Sequence, residues 1–274
     1  NAGTAVSLDG ASGSFAIAHL DPSAPGFLRW GQLQYVNEHY LKFADGPYWI
    51  KGGIDSPENF LGYGDFDNTV DLNMGCLAGV VHQYAPHVSD WRAGDPTWGN
   101  GRGKGIIGAL NYLSSLNVNS INFLPMNLGG DGCDTFPFVG PSGSDFDNTH
   151  YDISKLHQWN IVLNHAQETG IAPHFELAET EPGNTRWLDD SQLGVERKLY
   201  YRELIARFGY LLTGKWNLSE ENVFAIVQIQ SFAAYIQALD WSGKPITVHT
   251  QPNNFRDYNL MLGDGRFSAT AIQY

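Results

Sequence analysis

A chain of 274 residues, 42% hydrophobic and 13% aromatic, carries enough apolar material for one sizeable core and has the length of one barrel-sized domain. Its 16 Lys and Arg stand against 29 Asp and Glu, a formal net charge of −13 that repels a phosphate backbone and excludes nucleic acids and anionic membrane surfaces as partners. No apolar run approaches the roughly 20 residues that cross a bilayer, so no membrane span is expected.

The chain begins "NAGTAVSLDG", with neither an initiator Met nor a signal peptide, and reads as a processed or truncated start. Residues 1–45 then show short strand patterns with Pro and Gly at the corners: "GSFAIAHL", "DPSAPG" and "FLRWGQLQYVNEHYLKFADG". This is a β-hairpin segment appended to the main domain, which occupies residues 46–274. From "YWIKGG" onward the pattern becomes strand, loop, helix, repeated. The helix "KGIIGALNYLSSL" precedes the strand "SINFLPM", and "DISKLHQWNIVLNHAQETG" precedes "APHFELA". The helix "GVERKLYYRELIARFGYLL", with Leu199, Leu204, Ile205, Phe208, Leu211 and Leu212 on one face, precedes "KWNLS". Finally "AIVQIQSFAAYIQALD" precedes "PITVHT", and "FSATAIQY" ends the chain.

Short apolar strands separated by amphipathic helices predict βαβ units around a buried parallel sheet. A doubly wound sheet and a (β/α)8 TIM barrel both satisfy that pattern. Two features favour the barrel: no Gly-rich phosphate loop follows the first strand, and polar or charged residues recur after the C-terminal end of nearly every strand. Six such strands are visible where a barrel of this class needs eight, so the expectation is an α/β TIM barrel truncated after its sixth strand.

The polar residues at those strand ends are the candidates for chemistry. Asp55, Glu58 and Asn59 follow the first strand; Asn127, Asp131 and Asp134 follow the second. Glu176, Glu179 and Glu181 follow the third, and Glu220 and Glu221 the fourth. A barrel would bring them together on one face, although any single one read alone is most simply a solvated surface charge. Hydrolysis of a glycosidic bond needs one protonated carboxyl for the leaving oxygen and one carboxylate to attack or to activate water, which suits such a bowl. The long loop "HQYAPHVSDWRAGDPTWGNG" adds Trp91 and Trp98, whose faces could stack on sugar rings or form a small satellite core pinning the loop. His174 and His249, within strands, and Asn217 complete the set of candidate substrate-binding side chains.

His82, His87, His150, His174 and His249 show no His-x-His or His-Glu-x-x-His spacing beside Asp131 and Asp134, so neither a metal nor a cofactor is expected. Cys76 and Cys133 lack the close Cys-x-x-Cys spacing of a zinc site; a disulfide between them is one option, and two thiols do not decide the redox compartment.

At "KWNLSEEN" the layout resembles clan A glycoside hydrolases, whose fourth barrel strand ends in an Asn-Glu-Pro in which the Glu is the acid/base. On that resemblance Glu220 stands in the usual Asn place, Glu221 in the acid/base place and Asn222 in the Pro place. More of the chain, through "YWIKGGIDSPENFLGYGDFD", "HQYAPHVSDW", "GKGIIGALNYL", "MNLGGDG" and "ERKLYYRELIARFG", resembles a family of bacterial secreted barrel proteins classed among glycoside hydrolases, whose barrel follows a β-sandwich domain of unknown function. The resemblance implies a secreted or periplasmic protein and a carbohydrate substrate. It implies a retaining glycosidase with Glu221 as proton donor and a nucleophile on the seventh strand, beyond Tyr274. A non-catalytic carbohydrate-binding or scaffold barrel is the competing reading.

Overall fold

The computed structural model describes residues 10, 12–14, 16, 19–55, 57–71, 81–142 and 145–272. Cys76 and part of "GSFAIAHL" therefore lie outside the described residues.

Strands β1 (Leu33–Gln34), β2 (Leu41–Phe43) and β3 (Tyr48–Trp49) form an antiparallel meander in that order. It has its own small core, with Phe27, Leu33, Phe43 and Trp49 packed against Ala172. The expected first barrel strand, "YWIKGG", is thereby divided. Tyr48 and Trp49 pair back onto β2, and only β4 (Gly53–Ile54) enters the main sheet. The exposed Tyr48 and buried Trp49 alternate as a one-sided antiparallel strand does, and Gly53 runs so close to β5 that a Cβ there would lie 2.7 Å from the Ser120 carbonyl oxygen.

The main sheet is parallel throughout. Strand β4 pairs with β5 (Ser120–Phe123), β5 with β8 (Ala172–Glu176), β8 with β9 (Lys215–Asn217) and β9 with β10 (Ile246–Thr247). Taken in chain order, each strand of this sheet lies beside the one before it, without the reversal that marks a doubly wound sheet, so the winding is that of a barrel. The expected sixth strand contributes less than a ladder: Ala271 makes an isolated parallel bridge with His249, and the Ser268 amide donates to the Ile246 carbonyl.

The helices follow their apolar periodicity. In α1 (Lys104–Ser115) Ile106, Ile107 and Leu110 are buried. Helix α3 (Pro182–Thr185) is a single turn; in α4 (Val195–Phe208) the buried stripe is Tyr201, Leu204, Ile205 and Phe208, and in α5 (Ile226–Leu239) it is Ile229, Phe232, Ala233 and Ile236. Both stripes have the i, i+3, i+4, i+7 spacing of one helix face. Helix α2 (Ile153–Thr169) starts where the Asp152 side chain accepts from the Lys155 amide, and it stops at Gly170, whose φ of 83° only glycine adopts cheaply. The outward side chains of the strands meet these helices and each other: Phe175 packs on Phe208 of α4 and on Trp216 of β9, with ring centroids 5.6 and 4.9 Å away.

One addition was not legible from periodicity. An antiparallel hairpin of β6 (Phe138–Ser142) and β7 (Asp145–Tyr151) is inserted between β5 and α2. Among the described residues no helix is long and apolar enough to cross a membrane.

Candidate active site

The inward positions of the sheet are polar. Asn122, His174 and Lys215 lie side by side as register partners across β5, β8 and β9, and Glu176 and Asn217 form the next pair toward the C-terminal end. Asn122, His174, Glu176 and Lys215, with Thr247, line a cavity of about 490 Å3 that His249 and Asp55 also border. A larger cavity of about 800 Å3, between the meander and residues 258–270, contains none of these groups.

Glu176 is fully buried, and its Oε1 accepts from the side-chain amides of Asn217 at 3.1 Å and Asn122 at 3.4 Å. Burial pushes its carboxyl up to about 8, with Asp55 and Glu58 adding to the rise and the Asn217 bond opposing it. Asn217 also accepts the His249 amide through Oδ1 at 3.0 Å, so it ties β9 to the second residue after β10. His174 is buried with its pKa driven well down by burial and then by Lys215 and Lys51, and it is a neutral imidazole at pH 7.

Beyond β9 the chain bends at Leu218 and enters a turn at Glu220. The Glu220 amide donates to the Ala178 carbonyl at 2.8 Å, and the His249 amide donates to the Ser219 carbonyl at 3.1 Å. This holds the Glu220 carboxyl at the mouth of the sheet, 7% exposed, with Oε1 3.5 Å from Nδ1 of His249. Burial pushes Glu220 up to about 9, reinforced by Glu58, Glu221, Glu176 and Glu179. Burial lowers His249, so the two face each other as a neutral pair with the proton on the carboxyl. Glu221 is half-buried and has a φ of 38°, in the left-handed region. Of the two adjacent carboxyls, that of Glu220 is the more deeply buried.

Glu58 is half-buried and pushed up to about 7, by burial and then by Asp55, Asp131, Glu181 and Glu221. Glu179 is 1% exposed and rises to about 9 through burial, against the Asp131 amide that donates to its Oε1 at 3.1 Å. One carboxylate oxygen from each of Glu58, Asp131 and Glu179 lies within 4.8 Å of the others, a set able to hold a metal ion.

Asn59 and Asn127 are buried and serve the loops: Asn59 Oδ1 meets His82 Nε2 at 2.7 Å, and Asn127 Oδ1 accepts the Gly132 amide at 3.0 Å. Asn184, which sequence reasoning did not single out, is fully buried. It accepts the Glu179 amide and donates to the carbonyls of Met126 and Leu128, locking the loop after β8 to the loop after β5. Cys133 in that loop is disulfide-bonded.

The two tryptophans stand apart from this group. Trp98 is 7% exposed, stacks on Phe66 at 5.3 Å and donates its Nε1 to the Asp65 carbonyl, so its ring faces are used in core packing. Trp91 lies under the Lys104 ammonium at 4.3 Å and donates to the Pro96 carbonyl within its own loop. A pocket tryptophan and a loop-pinning tryptophan carry the same signal in sequence.

No family model matches the sequence, and no curated protein matches it. Solved structures match it in fold. A candidate glycoside hydrolase from Bacteroides vulgatus ATCC 8482 aligns with a TM-score of 0.59 and 12% identity, over 89% of this chain and 42% of that one. A glycoside hydrolase family 5 protein from the same organism gives 0.55 and 12%, over 89% and 45%. A further glycoside hydrolase gives 0.50 and 13%, over 81% and 41%. The neighbours are TIM-barrel glycoside hydrolases, and this α/β chain with its parallel sheet spans less than half of their length.

Proposed function

We propose that the protein is a glycoside hydrolase acting on a polysaccharide or oligosaccharide, with Glu220 as its general acid. One observation carries the reading: a carboxyl buried at the C-terminal mouth of a barrel-wound sheet, held protonated to about 9 and set beside a neutral His249. A glycosidic oxygen leaves as an alcohol only if it receives a proton as the bond breaks. A donor already protonated at neutral pH supplies it without an added cost of ionisation. Burial and the neighbouring Glu58, Glu221 and Glu176 keep that proton in place, the same device by which other glycosidases separate an acid from a carboxylate.

Glu176 and Asn217, register partners at the end of the sheet, are suited to binding sugar hydroxyls, with His249 orienting the acid. The mechanism we favour is retaining, with the attacking carboxylate on a seventh strand beyond Tyr274 and the sheet forming the first strands of an eight-stranded barrel. The length of the neighbours relative to this chain is compatible with that arrangement.

Leaving-group dependence tests the reading. In the full-length protein Glu220→Gln lowers turnover of a natural glycan by about 10²–10⁴-fold, the loss expected for general acid help. It slows the first step far less on an aryl glycoside whose leaving group needs no proton. Glu221→Gln shows no such contrast. If the contrast follows Glu221, the acid is Glu221 as the Asn-Glu-Pro layout suggests; if neither variant shows it, the glycosidase reading fails.

A further inference from the structure

We propose that Glu58, Asp131 and Glu179 form a divalent-cation site, suited to Ca2+, that clips together the loops following β4, β5 and β8. Two oxygens bound to one ion lie at most twice the metal–oxygen distance apart. That limit is about 4.6–5.2 Å for Ca2+ and about 4.2 Å for Mg2+. The three carboxylate oxygens lie within 4.8 Å of one another, a spread that one calcium ion with bonds of about 2.4 Å or longer can span.

A cluster of acids alone would prove nothing, since solvated carboxylates often gather. The second observation is Glu179. Its side chain is 1% exposed; Oε1 accepts the Asp131 amide, and Oε2 meets no N–H donor among the described residues, its hydrogen-bonding neighbour being the Glu181 carboxyl. A buried carboxylate oxygen with no donor is costly unless a cation or a proton occupies the space before it. Among the described residues no Lys, Arg or His forms an ion pair with Glu58, Asp131 or Glu179.

The backbone is shaped around the same point. A Cβ on Gly130 would fall 1.6 Å from Glu179 Oε2 and 2.7 Å from Asn127 Oδ1, so a larger residue there would displace these side-chain ends. The close approach at Gly130 puts the Asn127 amide oxygen beside the carboxylate as a further neutral donor. Hard oxygen ligands in irregular loops suit Ca2+, which accepts six to eight oxygens in flexible geometry. The residues come from three distant loops, at positions 58, 131 and 179, which is why no short spacing motif announces them.

Calorimetric titration of the metal-free full chain with CaCl2 tests the site directly, and it reads binding whether or not the protein cleaves glycans. The expected result is one Ca2+ per chain with Kd below about 1 mM, and a melting temperature that rises with Ca2+ and falls back on chelation. Asp131→Asn, at a half-buried loop position, and Glu179→Gln each weaken binding at least about tenfold, as loss of a charged ligand should. Glu220→Gln, which alters the proposed acid, leaves the affinity unchanged. If Glu179→Gln does not fold, Asp131→Asn still decides. Absence of binding at millimolar Ca2+, or an affinity indifferent to Asp131→Asn, overturns the proposal.

Discussion

Glu176 offers a quantitative test of the electrostatics at the mouth of the sheet. Unfolded, its carboxyl titrates near 4.5; folded, burial raises it to about 8. Below about 4.5 both states hold the proton and the group is neutral in its contribution. As pH rises between those values the unfolded chain releases a proton that the folded one keeps. Unfolding is then favoured by about 1.4 kcal/mol per pH unit. The loss is complete above pH 8 and has a ceiling of about 5 kcal/mol. Glu176→Gln mimics the protonated form: its amide oxygen can still accept from Asn217 and Asn122, while nothing is left to ionise. Urea unfolding at several pH values checks this. Near pH 4.5 the variant and the parent should have similar midpoints. At about pH 9 the variant should be more stable by roughly 2–4 kcal/mol, somewhat under the ceiling because the denatured ensemble and coupled carboxylates absorb part of the difference. Parallel pH profiles, or a variant less stable than the parent at pH 9, would refute the claim that Glu176 is held neutral by burial.

Trp98→Ala should cost about 3–5 kcal/mol in chemical denaturation, as large-to-small changes of buried aromatics do, with KM for oligosaccharides essentially unchanged; the reverse pattern would return this ring to the ligand. Asn184→Ala removes three hydrogen bonds that join two loops, so a loss of about 2–4 kcal/mol is expected, with faster amide exchange at Glu179. Asp152→Ala removes the N-cap of α2 and should lower stability by about 1–2 kcal/mol in thermal melts, whereas Asp152→Asn should recover most of it.

Much of the architecture follows from local pattern. The periods of α4 and α5 place Leu204, Ile205 and Phe208, and Ile229, Phe232 and Ile236, on buried faces because 3.6-residue spacing must bury one stripe. The strands "SINF", "APHFE" and "KWN" are legible because a parallel sheet buried on both sides tolerates few exposed residues. The carboxylates after those strands were legible as a group, since barrel winding sends every strand end to one face.

Particular partners were decided by the tertiary structure. "YWIKGG" looks like one strand, yet whether Trp49 joins β2 or β5 depends on which neighbour covers its ring, and the meander core does. Trp98 has the same identity in a ligand wall and in a core; Phe66 and the Asp65 carbonyl determine which it is. Glu220 and Glu221 are adjacent and chemically alike, and the two backbone bonds to Ala178 and Ser219, together with the φ of 38° at Glu221, decide which is buried. Composition and periodicity determine which residues must leave water, because that depends on each side chain and its spacing. Which of them meet is a matter of loop paths spanning more than a hundred residues, as with Glu58 and Glu179, and only the folded chain closes those distances.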